Sequence, residues 1–69
     1  NNIQCVLFNT DSAFGYIRYS KDYGGLSCRD LEVLVGAIKP NDRRAVRVAL
    51  EELQSQGMVY MKEGKYFPL

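Results

Sequence analysis

Arg43, Arg44 and Arg47 stand within one short segment, and Lys39 lies a turn before them. On a helix, guanidinium groups at this spacing can grip phosphates or take a guanine bidentately through O6 and N7. From Lys39 to Arg47 the chain has four basic residues and one acidic, Asp42, a net of +3, whereas the whole chain carries only +1. The remaining residues are therefore net negative, and positive charge is concentrated in one segment. Lys62 and Lys65, flanking Glu63-Gly64, form a second cationic point. The plainer alternative is a solvated helix face in which Arg47 pairs with Glu51 one turn on, worth roughly a few tenths of a kcal/mol. With about four to six phosphate contacts at most, binding by one copy is expected to be weak and strongly salt-dependent.

Other chemistry is hard to assemble from these residues. There is no histidine, no serine or cysteine with a nearby base, and no glycine-rich phosphate loop. Gly24-Gly25 reads as a turn. Glu51 and Glu52 project from different sides of one helix and cannot face each other across a substrate. Cys5 and Cys28 lack partners for a zinc set, and two lone cysteines suit small apolar positions in a reducing, intracellular compartment. A disulfide between them stays open at this point. No enzyme activity, cofactor, metal or small-molecule substrate is expected. The sequence shows no signal peptide and no apolar run long enough for a bilayer.

The 69 residues, 46% of them hydrophobic and 25% charged, suit one small globular domain over residues 1–69 with a thin core. Beginning with Asn, the chain reads as part of something larger.

The elements that must position the arginines are clearest from Gly24 onward. Ser27 with Asp30 three residues later predicts a helix start. Leu31, Leu34, Val35 and Ile38 follow at helical spacing, and Pro40 predicts an end near Ala37. A second helix starts after a tight turn, capped by Asn41 or Asp42. Val46, Ala49, Leu50 and Leu53 form its apolar stripe, widened by Ala45, and Gly57 stops it. The period then changes to two. Met58–Lys62 and Lys65–Leu69 predict a hairpin around Glu63-Gly64, with Lys62 opposite Lys65, Tyr60 opposite Phe67 and Met58 opposite Leu69. Met58, Tyr60, Phe67 and Leu69 are expected to face the helices, leaving Val59, Met61 and Tyr66 outside. Pro68 belongs at an edge or strand end.

The first third predicts a helix over about residues 2–9 and a strand near Tyr16–Tyr19. A rival reading puts the first helix at Ser12–Asp22 and the strand at Gly25–Ser27; Gly15 and the aromatic, β-branched content weigh against it. Tyr16, Tyr19 and Tyr23 could stack on bases, although packing near a thin core is the more ordinary role.

Leu26-Ser27-x-x-Asp30-Leu31, Ala45-Val46, Leu50, Gly57-x-x-Tyr60 and Phe67 together resemble the winged-helix superfamily, over about the last two thirds of the chain. The spacing is similar to the C-terminal winged helix of the middle-sized subunit of replication protein A. The resemblance implies an α+β fold of three helices, a small antiparallel sheet and a C-terminal hairpin wing. In that replication family the domain docks helical segments of repair and replication proteins on its sheet and wing side. A further comparison fails: the Z-DNA-binding winged helices carry an Asn and a Tyr on the recognition helix and a Trp in the wing. Here those helix positions hold Arg47 and Glu51, and there is no Trp.

The leading expectation is a module for duplex DNA, with Lys39, Arg43, Arg44, Arg47, Lys62 and Lys65 as contacts, acting in a nucleus or nucleoid. The alternative is a docking module that takes a partner's amphipathic helix on Val59, Met61 and Tyr66.

Overall fold

A computed structural model of the chain describes residues 9–69. Its first helix, α1 (Thr10–Ser20), begins where two short polar side chains satisfy each other's backbone. Asn9 Oδ1 accepts from the Ser12 N–H at 3.0 Å, and Ser12 Oγ accepts from the Asn9 N–H at 3.0 Å. Ala13, Ile17 and Ser20 then recur at helical spacing and are buried. The buried Ser20 hydroxyl is satisfied by donating to the Ile17 carbonyl at 2.9 Å.

The strand expected at Tyr16–Tyr19 is therefore helix. The expected helix over about residues 2–9 falls outside the described residues, save that Asn9 is the extended cap of α1. The rival reading is the closer one. Local β-propensity lost to the burial of Ala13 and Ile17, both wholly shielded from solvent. After α1 a 3-10 turn (Lys21–Tyr23) leads to Gly24 and Gly25, both at positive φ. The anticipated strand at Gly25–Ser27 is reduced to a bridge at Leu26.

Helix α2 (Cys28–Val35) opens with the anticipated cap. Ser27 Oγ accepts from the Asp30 N–H at 3.0 Å, and Asp30 Oδ2 accepts from the Ser27 N–H at 3.1 Å. It ends at Val35 rather than Ala37, because Gly36 turns left-handed at φ 71°. There the Ala37 N–H donates to the Glu32 carbonyl at 2.8 Å and the Gly36 N–H to that of Val33 at 3.2 Å. The early stop splits the predicted stripe. Leu31 is buried and Val35 packs on the core, whereas Leu34 and Ile38 face solvent.

Helix α3 (Pro40–Ser55) starts earlier than Asn41 or Asp42 would cap it. Lys39 takes the extended cap position and Pro40 the first helical one, where a missing N–H costs nothing. Val46, Ala49, Leu50 and Leu53 are buried as anticipated, but Ala45 is exposed. Gly57 (φ 74°) closes the helix, with the Met58 N–H donating to the Leu53 carbonyl at 3.0 Å.

Strands β1 (Val59–Lys62) and β2 (Lys65–Pro68) pair antiparallel in the anticipated register, Tyr60 opposite Phe67 and Lys62 opposite Lys65. Pro68 ends β2. Leu69 continues the pairing through its N–H to the Met58 carbonyl at 3.0 Å. On its other side β2 is bridged by Leu26, whose carbonyl accepts from the Tyr66 N–H at 2.7 Å. β2 is thus central, between β1 and Leu26.

The hairpin is turned over relative to expectation. Val59 and Tyr66, 2% and 8% exposed, join the core, whereas Met58, Tyr60 and Leu69 face solvent. Apolar residues occupy both faces of this hairpin, so alternation alone does not choose between them. The outer Phe67 ring is accommodated by Gly25, where a Cβ would stand 2.8 Å from it. Among the described residues the result is an α+β arrangement, three α-helices and a two-stranded antiparallel sheet around one core.

Candidate nucleic-acid interface

Burial of the Val46–Leu53 stripe dictates where the arginines go. Lys39, Arg43, Arg44 and Arg47 all emerge exposed from the turn before α3 and its first half. They fan out rather than forming one row. Arg43 lines the groove between α2 and α3 together with Glu32 and Ile38. Arg44 lines a groove on the other flank, with Asn9 and Thr10 at the start of α1. Arg47 is close enough to the Cys28 thiol for its charge to act on it. Glu32 shares the Arg43 groove and Glu52 the Arg44 groove, and Glu52 accepts from the Gln56 amide at 3.4 Å.

Lys62 and Lys65 are direct cross-strand partners at the hairpin tip and are both exposed. Two like charges facing each other destabilise the pair slightly. Between them Glu63 (φ 54°) and Gly64 (φ 79°) make the doubly left-handed turn that suits a two-residue hairpin.

Arg29 belongs with this set and was missed by the sequence reading. It is exposed in the first turn of α2 and lines the same groove as Arg43. The signal was present: Ser27 and Asp30 fix the helix start, so Arg29 must project from its first turn toward the turn that leads into α3.

The protein-docking set does not come together as foreseen. Val59 and Tyr66 are core residues, and Met61 alone of the three is exposed. The solvent face of the hairpin is made by Met58, Tyr60 and Leu69, with Tyr60 stacked on Phe67 at 5.6 Å between centroids. The tyrosines of the first third also depart from the packing role, since Tyr16, Tyr19 and Tyr23 are all exposed.

Cys28 is a free, half-buried thiol. Its pKa is pushed up by burial first, then by the charge of Glu32 and the 3.6 Å hydrogen bond to it, with Arg47 pulling the other way. It stays a protonated thiol at neutral pH, a poor nucleophile. The Tyr66 phenol is also raised, by burial first and then by Cys28 and Glu51. Among the described residues no cluster of three metal-ligating side chains occurs, and no helix is long and apolar enough to cross a membrane.

No family model, curated protein or solved structure matches the chain.

Proposed function

We propose that this chain is a non-enzymatic winged helix-turn-helix module that binds duplex DNA through α3 and the hairpin tip. The observation that carries this reading is the fan of Arg43, Arg44 and Arg47, exposed on the first half of α3, with Arg43 and Arg44 lining grooves on its two flanks. A helix fills the major groove, whose two walls are phosphate backbones. Side chains diverging toward both flanks suit those walls, while Arg47 between them suits base edges. In this reading α2 and α3 form the helix-turn-helix, and the hairpin is the wing that brings Lys62 and Lys65 to the neighbouring backbone or minor groove. Such a module would act in a nucleus or nucleoid.

Fluorescence anisotropy with a labelled duplex tests the reading. Four phosphate contacts predict roughly a hundredfold loss of affinity between about 50 mM and 200 mM salt. An Arg44→Glu, Arg47→Glu variant, both positions being exposed, is expected to fold normally and lose measurable duplex binding. Unchanged affinity in that variant sinks the proposal.

A second reading, docking of a partner's amphipathic helix in a replication or repair assembly, is favoured by the exposed Met58, Tyr60, Met61 and Leu69 of the hairpin. It predicts that Tyr60→Asp abolishes peptide capture and spares duplex binding.

A further inference from the structure

We infer that α1 and the 3-10 turn after it carry a second binding surface, for single-stranded nucleic acid, with Tyr16, Tyr19 and Tyr23 as stacking platforms and Arg18 and Lys21 as phosphate contacts. This goes beyond the duplex reading and uses none of its residues.

Packing in the core does not explain Tyr19 and Tyr23, whereas Tyr16 is more than half covered. Tyr19 and Tyr23 are 77% and 73% exposed, and their rings lie 5.7 Å apart between centroids, tilted by 34°. Paired aromatic faces open to water are the surface on which any base can stack, whatever its identity.

A second observation comes from Gly15. It sits in the middle of α1, where glycine weakens a helix relative to alanine. Nothing lies within 4 Å of where its Cβ would stand, so no close contact in the fold requires a glycine there. What its bare backbone does provide is a shallow, open recess bordered by Ser12, Tyr16 and Tyr19, on which a flat ring can lie.

The recess adjoins a cleft between α1 and the end of β2, because Gly15 and Tyr19 line both. The charged side chains of that cleft are Arg18 and Lys21, while Tyr23 and its neighbour Asp22 lie outside both spaces, in the 3-10 turn. The Arg18 guanidinium rests over the Phe14 ring, 5.8 Å from its centroid. Rings and cations on one strip match a chain of alternating bases and phosphates.

The test is a titration of a fluorescein-labelled short oligothymidylate with the intact chain at low salt, followed by anisotropy and by quenching of tyrosine emission. Tight, quenching binding is expected, weakened roughly tenfold or more in a Tyr19→Ala, Tyr23→Ala variant. Gly15→Leu is expected to raise the thermal midpoint, since leucine is a good helix former, and yet to weaken the oligonucleotide at least roughly fivefold by filling the recess. A variant that gains stability while losing binding cannot be dismissed as misfolded. Arg44→Glu, Arg47→Glu should leave oligothymidylate binding intact, which separates failure of this surface from failure of the duplex reading. The inference is overturned if the oligonucleotide does not bind, or if Gly15→Leu and the tyrosine variant bind it normally. Affinity that instead follows Arg44 and Arg47, or displacement by polyglutamate as efficient as by unlabelled oligothymidylate, overturns it equally.

Discussion

Helix α3 buries Val46, Ala49, Leu50 and Leu53 and turns Arg43, Arg44 and Arg47 outward, whereas α1 buries Ala13, Ile17 and Ser20 and turns Tyr16 and Tyr19 outward. The inward sets do the same job in the same core. The outward sets offer different chemistry: long cations, whose attraction fades with salt, against rigid rings, whose stacking is largely indifferent to it. A formal charge of +1 hides this division, since neither face is visible in a whole-chain sum. The lesson is that a thin core leaves the functional variety of a small domain to the residues its helices do not bury.

The largest expected effect tests whether the two faces belong to one cooperative unit. Leu50 is 1% exposed and sits in the stripe of α3. Leu50→Ala should cost about 2–5 kcal/mol, a large share of the roughly 5–15 kcal/mol typical of a domain. Urea unfolding followed by tyrosine emission in a Tyr60→Phe, Tyr66→Phe background, which leaves the tyrosines of α1 and the 3-10 turn after it, and by far-UV dichroism should shift to lower denaturant together. If the α1 signal kept its original midpoint, the faces would be energetically separate and the comparison would need redrawing.

The sequence made the α3 side legible and the α1 side opaque for definite physical reasons. The α3 stripe holds large aliphatic residues at strict spacing, and the two-residue loop at Glu63-Gly64 fixes the hairpin register. In α1 the buried positions are Ala13, Ile17 and Ser20, of which two are too small or too polar to mark an apolar period. Its Asn9–Ser12 cap lacks the Glu or Gln that usually announces one. The hairpin's inner face was unreadable because Met58, Tyr60 and Phe67 are as apolar as Val59, Met61 and Tyr66. Tertiary packing, with Leu26 bridged to Tyr66 and Gly25 under Phe67, made that choice. The arginines were found, but their divergence onto two flanks, and the company of Arg29, needed the helices in place.

A smaller effect sharpens the contrast at the hairpin tip. Glu63 is the one non-glycine residue at positive φ among the described residues, a strained position for a long side chain. Glu63→Asn should stabilise the domain by about 1 kcal/mol, because Asn tolerates the left-handed conformation that this turn demands. It also removes the negative charge between Lys62 and Lys65. Duplex affinity at low salt is expected to rise while oligothymidylate affinity stays put. Equal gains for both ligands would mean that the faces share their electrostatics.

The smallest effect is confined to alkaline pH and probes the seam between α2, α3 and β2. Cys28 and Tyr66 both have pKa values raised by burial, and each feels the other or a glutamate as a further opposing charge. For an acid whose folded pKa lies above its unfolded one, the stability it contributes is complete below the unfolded value. That stability is lost as pH rises through the folded value. The domain should therefore hold constant stability at neutral pH and weaken above about pH 9, first through Cys28 and then through Tyr66. Urea midpoints measured from about pH 8 to about pH 10.5 should fall in the wild type. Tyr66→Phe, which keeps the ring and removes the ionising group, should fall less over the upper part of that range. An identical alkaline slope in the variant would show that Tyr66 does not ionise at a cost to the fold.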